Sequence, residues 1–396
     1  MLLLRNLKVY AEDQIFPNGY VLIDEEKIVE TGESFDSARS DKVTEMVFDP
    51  SHQLIPGMID LHIHGAGGAD TMDATNEALE TMAHLLPKEG TTSFLATTMT
   101  VGQRAIEAAI ENIANFMKNS QGKGKAEILG IHLEGPFLSP ERAGAQHPDH
   151  IIEPDVELFK KWQEAGNHTI RLVTLAPERN GGLGLASYLK ETGVVASIGH
   201  SDATHAEVNE GVEAGITHAT HLYNGMSPLH HREPGVVGSV LLEDRITSEM
   251  IVDGIHIAPA MVKLAYRNKG RERVVLVTDA MRAKCLNDGY YDLGGQEVEV
   301  KDGKATLQNG TLAGSILRMR DAVQNMISFT GCKMEDIIQM TSVNPAKEMN
   351  VFDRKGSIKS DKDADIVILD DQNEVILTIC RGKIAFMKEG LQDEVN

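Results

Sequence analysis

The residues best suited to chemistry in this chain are histidines and carboxylates that recur at the ends of apolar runs. His62-Ile63-His64 closes the segment Pro56-Gly57-Met58-Ile59-Asp60-Leu61-His62-Ile63-His64-Gly65. Glu134 follows in His132-Leu133-Glu134-Gly135-Pro136, His200 in Gly199-His200-Ser201-Asp202, His221 in Thr220-His221-Leu222-Tyr223-Asn224, and Asp279 in Val277-Thr278-Asp279-Ala280. Imidazole nitrogens and carboxylate oxygens together suit zinc or iron better than calcium or magnesium. Glu134 has the chemistry to bridge two divalent ions, each completed by two histidines. Paired ions of this kind sit about 3.5–4 Å apart and can share an activated hydroxide. A lone HxH is weak among 15 histidines, and one His at a strand end is more often a hydrogen-bonded structural residue than a ligand. His132 is read as structural for that reason. The conjunction of HxH, Glu, His, His and Asp, each closing a separate run, carries the metal reading.

Such a set can converge only if the elements beneath it share one mouth. Eight buried-type runs fill the middle of the chain: Leu54 to His64, Thr91 to Thr98, Ile128 to Glu134, Ile170 to Ala176, Val194 to His200, His218 to Tyr223, Glu249 to His256, and Val274 to Asp279. Most are continuously apolar, as parallel strands covered on both faces are. Helical periodicities separate them, as in Ile106, Ile110, Ile113 and Met117, or Leu79, Met82 and Leu86. Eight such units predict an α/β fold, a (β/α)8 TIM-type barrel with catalytic residues at the C-terminal ends of its strands. A doubly wound open sheet is disfavoured because no GxGxxG follows an early strand. Alternation with period two predicts that the HxH side chains point to one side. Both chain ends are short, β-branched and broken by turns. They predict a small β-sandwich domain from residues 1–54 and 352–396, beside a catalytic barrel over 55–351. Turn-rich residues 285–310 predict a hairpin excursion after the last strand.

The formal charge of -21 disfavours nucleic acid as a partner. No stretch approaches the roughly 18 apolar residues needed to span a bilayer, so no membrane partner is expected. Met1-Leu2-Leu3-Leu4-Arg5 lacks a basic segment before it and a cleavage site after it, and reads as a first strand. Cys285, Cys332 and Cys380 are far apart with no CxxC pairing, which points to a reducing, cytoplasmic setting.

On these residues the chain resembles the amidohydrolase superfamily. Many members of that superfamily bridge their metals with a carboxylated Lys after the fourth strand. Here Glu134 on the third run takes that place. Further segments narrow the likeness to the N-acetylglucosamine-6-phosphate deacetylase family: His132 to Phe137, Gly199 to Ala203, Thr220 to Pro228, His230-His231-Arg232-Glu233-Pro234-Gly235, Asp253-Gly254-Ile255-His256, Leu312-Ala313-Gly314-Ser315 and Gly356 through Asp370. The resemblance covers nearly the whole chain. It implies hydrolysis of the N-acetyl amide of a sugar phosphate. Glu134, His200 and His221 would be metal ligands, His62 and His64 would complete a second site, and Asp279 would be the general base. One or two ions per subunit are implied, zinc or iron. Substrate contacts would map onto Ala145, Asn224, Gly225, Arg232, His256, Leu312, Ala313 and Gly314. Arg232 and His256 match phosphate-binding positions, with Arg232 reaching across a homodimer. The competing expectation is another amidohydrolase, acting on a cyclic amide or an N-acyl amino acid. A second is a non-catalytic sugar-phosphate sensor on the same barrel.

Overall fold

The computed structural model describes residues 1–36 and 43–391. Parts of the expected end segments, 37–42 and 392–396, lie outside the described residues. Eight parallel strands follow one another around a barrel: Met58–Ile63, Thr91–Thr97, Glu127–Glu134, Ile170–Leu175, Val195–Ile198, Ile216–Ala219, Thr247–Ile251 and Val274–Val277. Their residues are almost all buried, which is why the runs are continuously apolar. Helices such as Asn76–Leu85 and Gln103–Asn119 cover the outside. The first is capped by Thr75, whose hydroxyl accepts from the Ala78 amide. The second buries Ile106, Ile110 and Ile113 on one face.

The first and last strands meet through few contacts. Ile63 bridges Ala280, the Asp279 amide donates to the His62 carbonyl at 2.8 Å, and the His64 amide donates to Ala280 at 2.9 Å. The buried Asp60 carboxylate reinforces this seam. It accepts from the Thr278 hydroxyl at 2.6 Å and from the Thr278 and His62 amides at 3.2 Å.

The run Leu54 to His64 is two strands, not one. Gln53–Pro56 belongs to another sheet, pairing antiparallel with Ile366–Leu369 and parallel with Leu2–Tyr10. Gly57 carries the chain between the sheets at a point where a Cβ would lie 2.1 Å from the Thr92 hydroxyl. The second sheet joins strands from both chain ends, in the order Lys383–Met387, Val375–Cys380, Ile366–Leu369, Gln53–Pro56, Leu2–Tyr10, Ile15–Asp24, Lys27–Gly32. Period-two alternation splits its side chains. Leu54, Ile366 and Ile368 pack with Leu4, Leu7 and Val9, whereas Ile55, Val367 and Leu369 join the barrel core. Fully buried Lys355 ties the C-terminal segment to the barrel, pairing with Asp365 and, at 2.7 Å, with Glu127 at the start of the third barrel strand.

Residues 285–310 hold the expected excursion, as a three-stranded antiparallel meander of Gly289–Leu293, Gln296–Lys301 and Lys304–Leu307. It lies over the barrel mouth, where the Gln296 amide donates to the Ala145 carbonyl at 2.6 Å.

Candidate active site

The fifth, sixth and seventh runs end earlier than the sequence suggests, at Ile198, Ala219 and Ile251. His200, His221 and His256 therefore sit in loops beyond the strands. His200, His221 and Asp279 all have positive φ (48°, 33° and 49°). The backbone leaves the strand direction at each of them, a conformation that L-residues hold only when their surroundings fix it.

Glu134, at the end of the third strand, is the hub. Its Oε1 lies 3.2 Å from His200 Nε2 and 3.1 Å from His221 Nε2, and the two Nε2 atoms are 3.1 Å apart. Its Oε2 faces the other histidines, 3.2 Å from His64 Nε2 and 3.6 Å from His62 Nε2. Asp279 Oδ1 closes that side at 3.3 Å from His62 Nε2 and 3.2 Å from His64 Nε2. Among the described residues three donor groups are formed, and two of them, Glu134–His200–His221 and His62–His64–Asp279, meet here, with the two oxygens of Glu134 aimed one at each; the third is His62–His132–Glu249. A divalent ion fits this arrangement. His200 Nδ1 lies 2.8 Å from the Arg142 carbonyl, an acceptor, so Nδ1 carries the proton and the Nε2 lone pair faces the cluster. His62 Nε2 is buried without a hydrogen-bond partner. Gly225 (φ 61°) approaches the other edge of His200, where a Cβ would sit 2.9 Å from Nδ1.

Burial works against charge on Asp279, but His62 and His64 beside it hold its carboxyl below the usual range. Burial likewise opposes the charge of Glu134, and His62, His200 and His221 outweigh it. His132 behaves oppositely. Burial and the neighbouring His62 push its pKa down to about 3, and its Nε2 lies 2.7 Å from the Thr174 hydroxyl. It is a neutral imidazole packed edge-on against His62, with ring centroids 4.5 Å apart.

Above the cluster lies a cavity of about 240 Å³ whose walls include Ala145, Asn224, Gly225, His256, Leu312 and Gly314. Two expected contact residues are elsewhere. Ala313 is fully buried and packs with Val298, Val300 and Ala305 under the meander, so its side chain faces away from the cavity. Arg232 is exposed on a surface loop, its guanidinium 2.8 Å from His231 Nε2, and does not line the cavity within this chain. His256 is held by Asp253, whose carboxylate lies 2.6 Å from its Nδ1 and accepts its amide at 2.8 Å. Burial lowers the pKa of His256, yet Asp253 raises it overall.

Sequence reasoning missed Gln146 and Glu249. Gln146 donates to Glu134 Oε2 at 2.8 Å while accepting the Thr100 amide at 2.8 Å, which fixes its orientation. Its position beside Ala145 was the only signal. Glu249, inside the seventh strand, lies 2.9 Å from His62 Nδ1 and carried no signal beyond its run.

A barrel mouth with a carboxylate-bridged histidine cluster and an ionised aspartate defines a metal-dependent hydrolase. The chain matches the Amidohydrolase family over residues 53–385. It is 48% identical over 389 residues to an N-acetylglucosamine-6-phosphate deacetylase of Bacillus subtilis (strain 168), covering 98% of each chain. It is 39% identical to an N-acetylgalactosamine-6-phosphate deacetylase of Escherichia coli O157:H7, covering 84% of this chain and 87% of that one. Among solved structures it resembles an N-acetyl-D-glucosamine-6-phosphate deacetylase mutant from Mycobacterium smegmatis in complex with N-acetyl-D-glucosamine-6-phosphate. That match has a TM-score of 0.90 at 31% identity and covers 98% of this chain and 99% of that one. The chain belongs to the N-acetylglucosamine-6-phosphate deacetylases of the amidohydrolase family.

Proposed function

We propose that the chain hydrolyses the N-acetyl amide of N-acetylglucosamine 6-phosphate, giving glucosamine 6-phosphate and acetate in amino-sugar catabolism and recycling. The observation that carries this is that Asp279 faces the same cavity as the Glu134–His200–His221 group. The relatives named above supply the substrate class. When bound, a zinc or iron ion held by Glu134, His200 and His221 supplies Lewis acidity, making water a nucleophile near neutral pH and polarising the amide carbonyl. Asp279 takes the proton of the attacking water. It returns that proton to the amide nitrogen as the C–N bond breaks, so the amine leaves neutral. Gln146 keeps Glu134 in place by donating to its Oε2, and Leu293, Thr311 and Leu312 form the meander side of the cavity.

The remote phosphate is read as an anchor whose binding energy orients the amide. His256, whose Nδ1 is held by Asp253, is one arm of the anchor. Arg232 of a second copy is the other, because its guanidinium suits a phosphate; this makes the working form a homodimer. A cytoplasmic setting agrees with the three free cysteines. Among the described residues no helix is long and apolar enough to cross a membrane.

Acetate release from N-acetylglucosamine with and without the 6-phosphate tests the substrate. Two charge-assisted contacts at about 1.5–3 kcal/mol each predict a kcat/KM at least about 10²-fold higher with the phosphate. Equal values would point to a different amidohydrolase substrate. A metal-replete protein with no turnover on any N-acetyl sugar phosphate would revive the sensor reading.

We read the His62–His64–Asp279 group as a second ion site. His62→Ala is expected to lower the metal-to-protein ratio by about one ion while the Glu134–His200–His221 ion stays. Elemental analysis of the purified variant checks this, and an unchanged ratio would leave the centre with one metal.

A further inference from the structure

Glu249 lies in the middle of the seventh barrel strand, Thr247–Ile251, and is fully buried inside the barrel. Its Oε2 is 2.9 Å from His62 Nδ1 and accepts the His221 amide at 3.1 Å. Its Oε1 is 3.2 Å from His218 Nε2. A carboxylate oxygen without a proton only accepts hydrogen bonds, and Glu249 Oε2 already accepts the His221 amide where it faces His62 Nδ1. His62 must therefore carry a proton on Nδ1. In its neutral form that leaves the Nε2 lone pair directed at the cluster, and this is the buried nitrogen that has no hydrogen-bond partner. The same carboxylate oxygen fixes the His221 backbone at its positive φ of 33°.

We infer that Glu249 is the positioning residue of the metal centre: one carboxylate sets the tautomer of a ligand in the HxH group and anchors the loop bearing a ligand of the Glu134 group. This rests on the metal-dependent reading above. Behind Glu249, His218 continues the chain of contacts. Its Nδ1 faces Glu348 at 3.6 Å, and Glu348 accepts from the Thr247 hydroxyl at 2.7 Å. Partners placed behind metal-bound histidines typically change metal affinity by about 10–100-fold.

The geometry distinguishes replacements of Glu249. Gln can point its one oxygen at His62 and His221 and its NH2 at His218 Nε2, with His218 donating through Nδ1 to Glu348. Leu offers no acceptor at all. Chelator competition on the zinc-loaded full-length protein should show Glu249→Leu binding metal about 10–100-fold more weakly. Glu249→Gln and His218→Leu should stay within about 3-fold of the parent, both well short of that loss. Unchanged affinity in Glu249→Leu overturns the inference. So does an equal loss in all three variants, which would mean that core packing alone is being read. If Glu249→Leu does not fold, long-range 1H–15N spectra of the zinc-loaded parent protein decide. The His62 proton is expected on Nδ1, and a proton on Nε2 overturns the inference. None of these readouts uses substrate, so failure of the deacetylase assignment would be seen separately.

Discussion

Asp279→Asn is expected to lower kcat by about 10²–10⁴-fold, the usual contribution of a positioned general acid-base group, while the ion held by Glu134, His200 and His221 stays. The amide is nearly isosteric and retains an oxygen toward His62 and His64, so the cavity should hold its shape. It cannot take a proton from water at neutral pH, nor return one to the departing nitrogen. The Glu134–His200–His221 group does not use Asp279 at all, which is why binding and turnover should separate. Steady-state kinetics with elemental analysis of the same preparation checks the prediction. Loss of that ion together with activity would show that the Glu134 group depends on Asp279.

Glu134→Gln should be more damaging still, and in a different way. Each carboxylate oxygen faces one histidine pair, Oε1 toward His200 and His221, Oε2 toward His62 and His64. An amide leaves an NH2 pointing at one pair and removes the negative charge on which both depend. Metal content is expected to fall below one ion per chain after desalting. The loss of activity should exceed the roughly 10–100-fold typical of removing a partner behind a ligand. Stoichiometric metal in the variant would show that the histidines alone suffice. Comparison with His62→Ala, expected to cost only one ion, places Glu134 at the centre of the cluster.

The barrel was legible in the sequence because parallel strands covered on both faces must be apolar without interruption, and eight such runs were present. Their ends were less legible. His200, His221 and His256 were placed at the ends of strands, yet the ladders stop before them and the chain bends out to aim them over the mouth. Leu54 to His64 looked like one run because Gly57, the turning point between two sheets, is itself buried and breaks no hydrophobic pattern. The candidate metal ligands stood out because histidines and acids are conspicuous at run ends. Glu249 did not, since one acid inside a strand resembles a solvent-facing residue. Its partners His218 and His62 are 31 and 187 residues away in sequence, and only the closed barrel brings them together. The burial of the Ala313 side chain was hidden for the opposite reason. A contact mapped to a turn does not say which of its side chains face inward.

The seam between the first and last barrel strands has one more implication. His62 and His64 stand on one side of it and Asp279 on the other, joined by main-chain bonds and by the Asp60–Thr278 hydrogen bond between residues 218 apart in sequence. Any chain still lacking its eighth strand has no carboxylate from Asp279 opposite the HxH pair, however well its earlier helices and strands have folded. On the proposed mechanism, hydrolysis begins only once the ring is complete, so a chain still lacking its last strand is silent, and turnover itself reports that the two edges of the barrel have met.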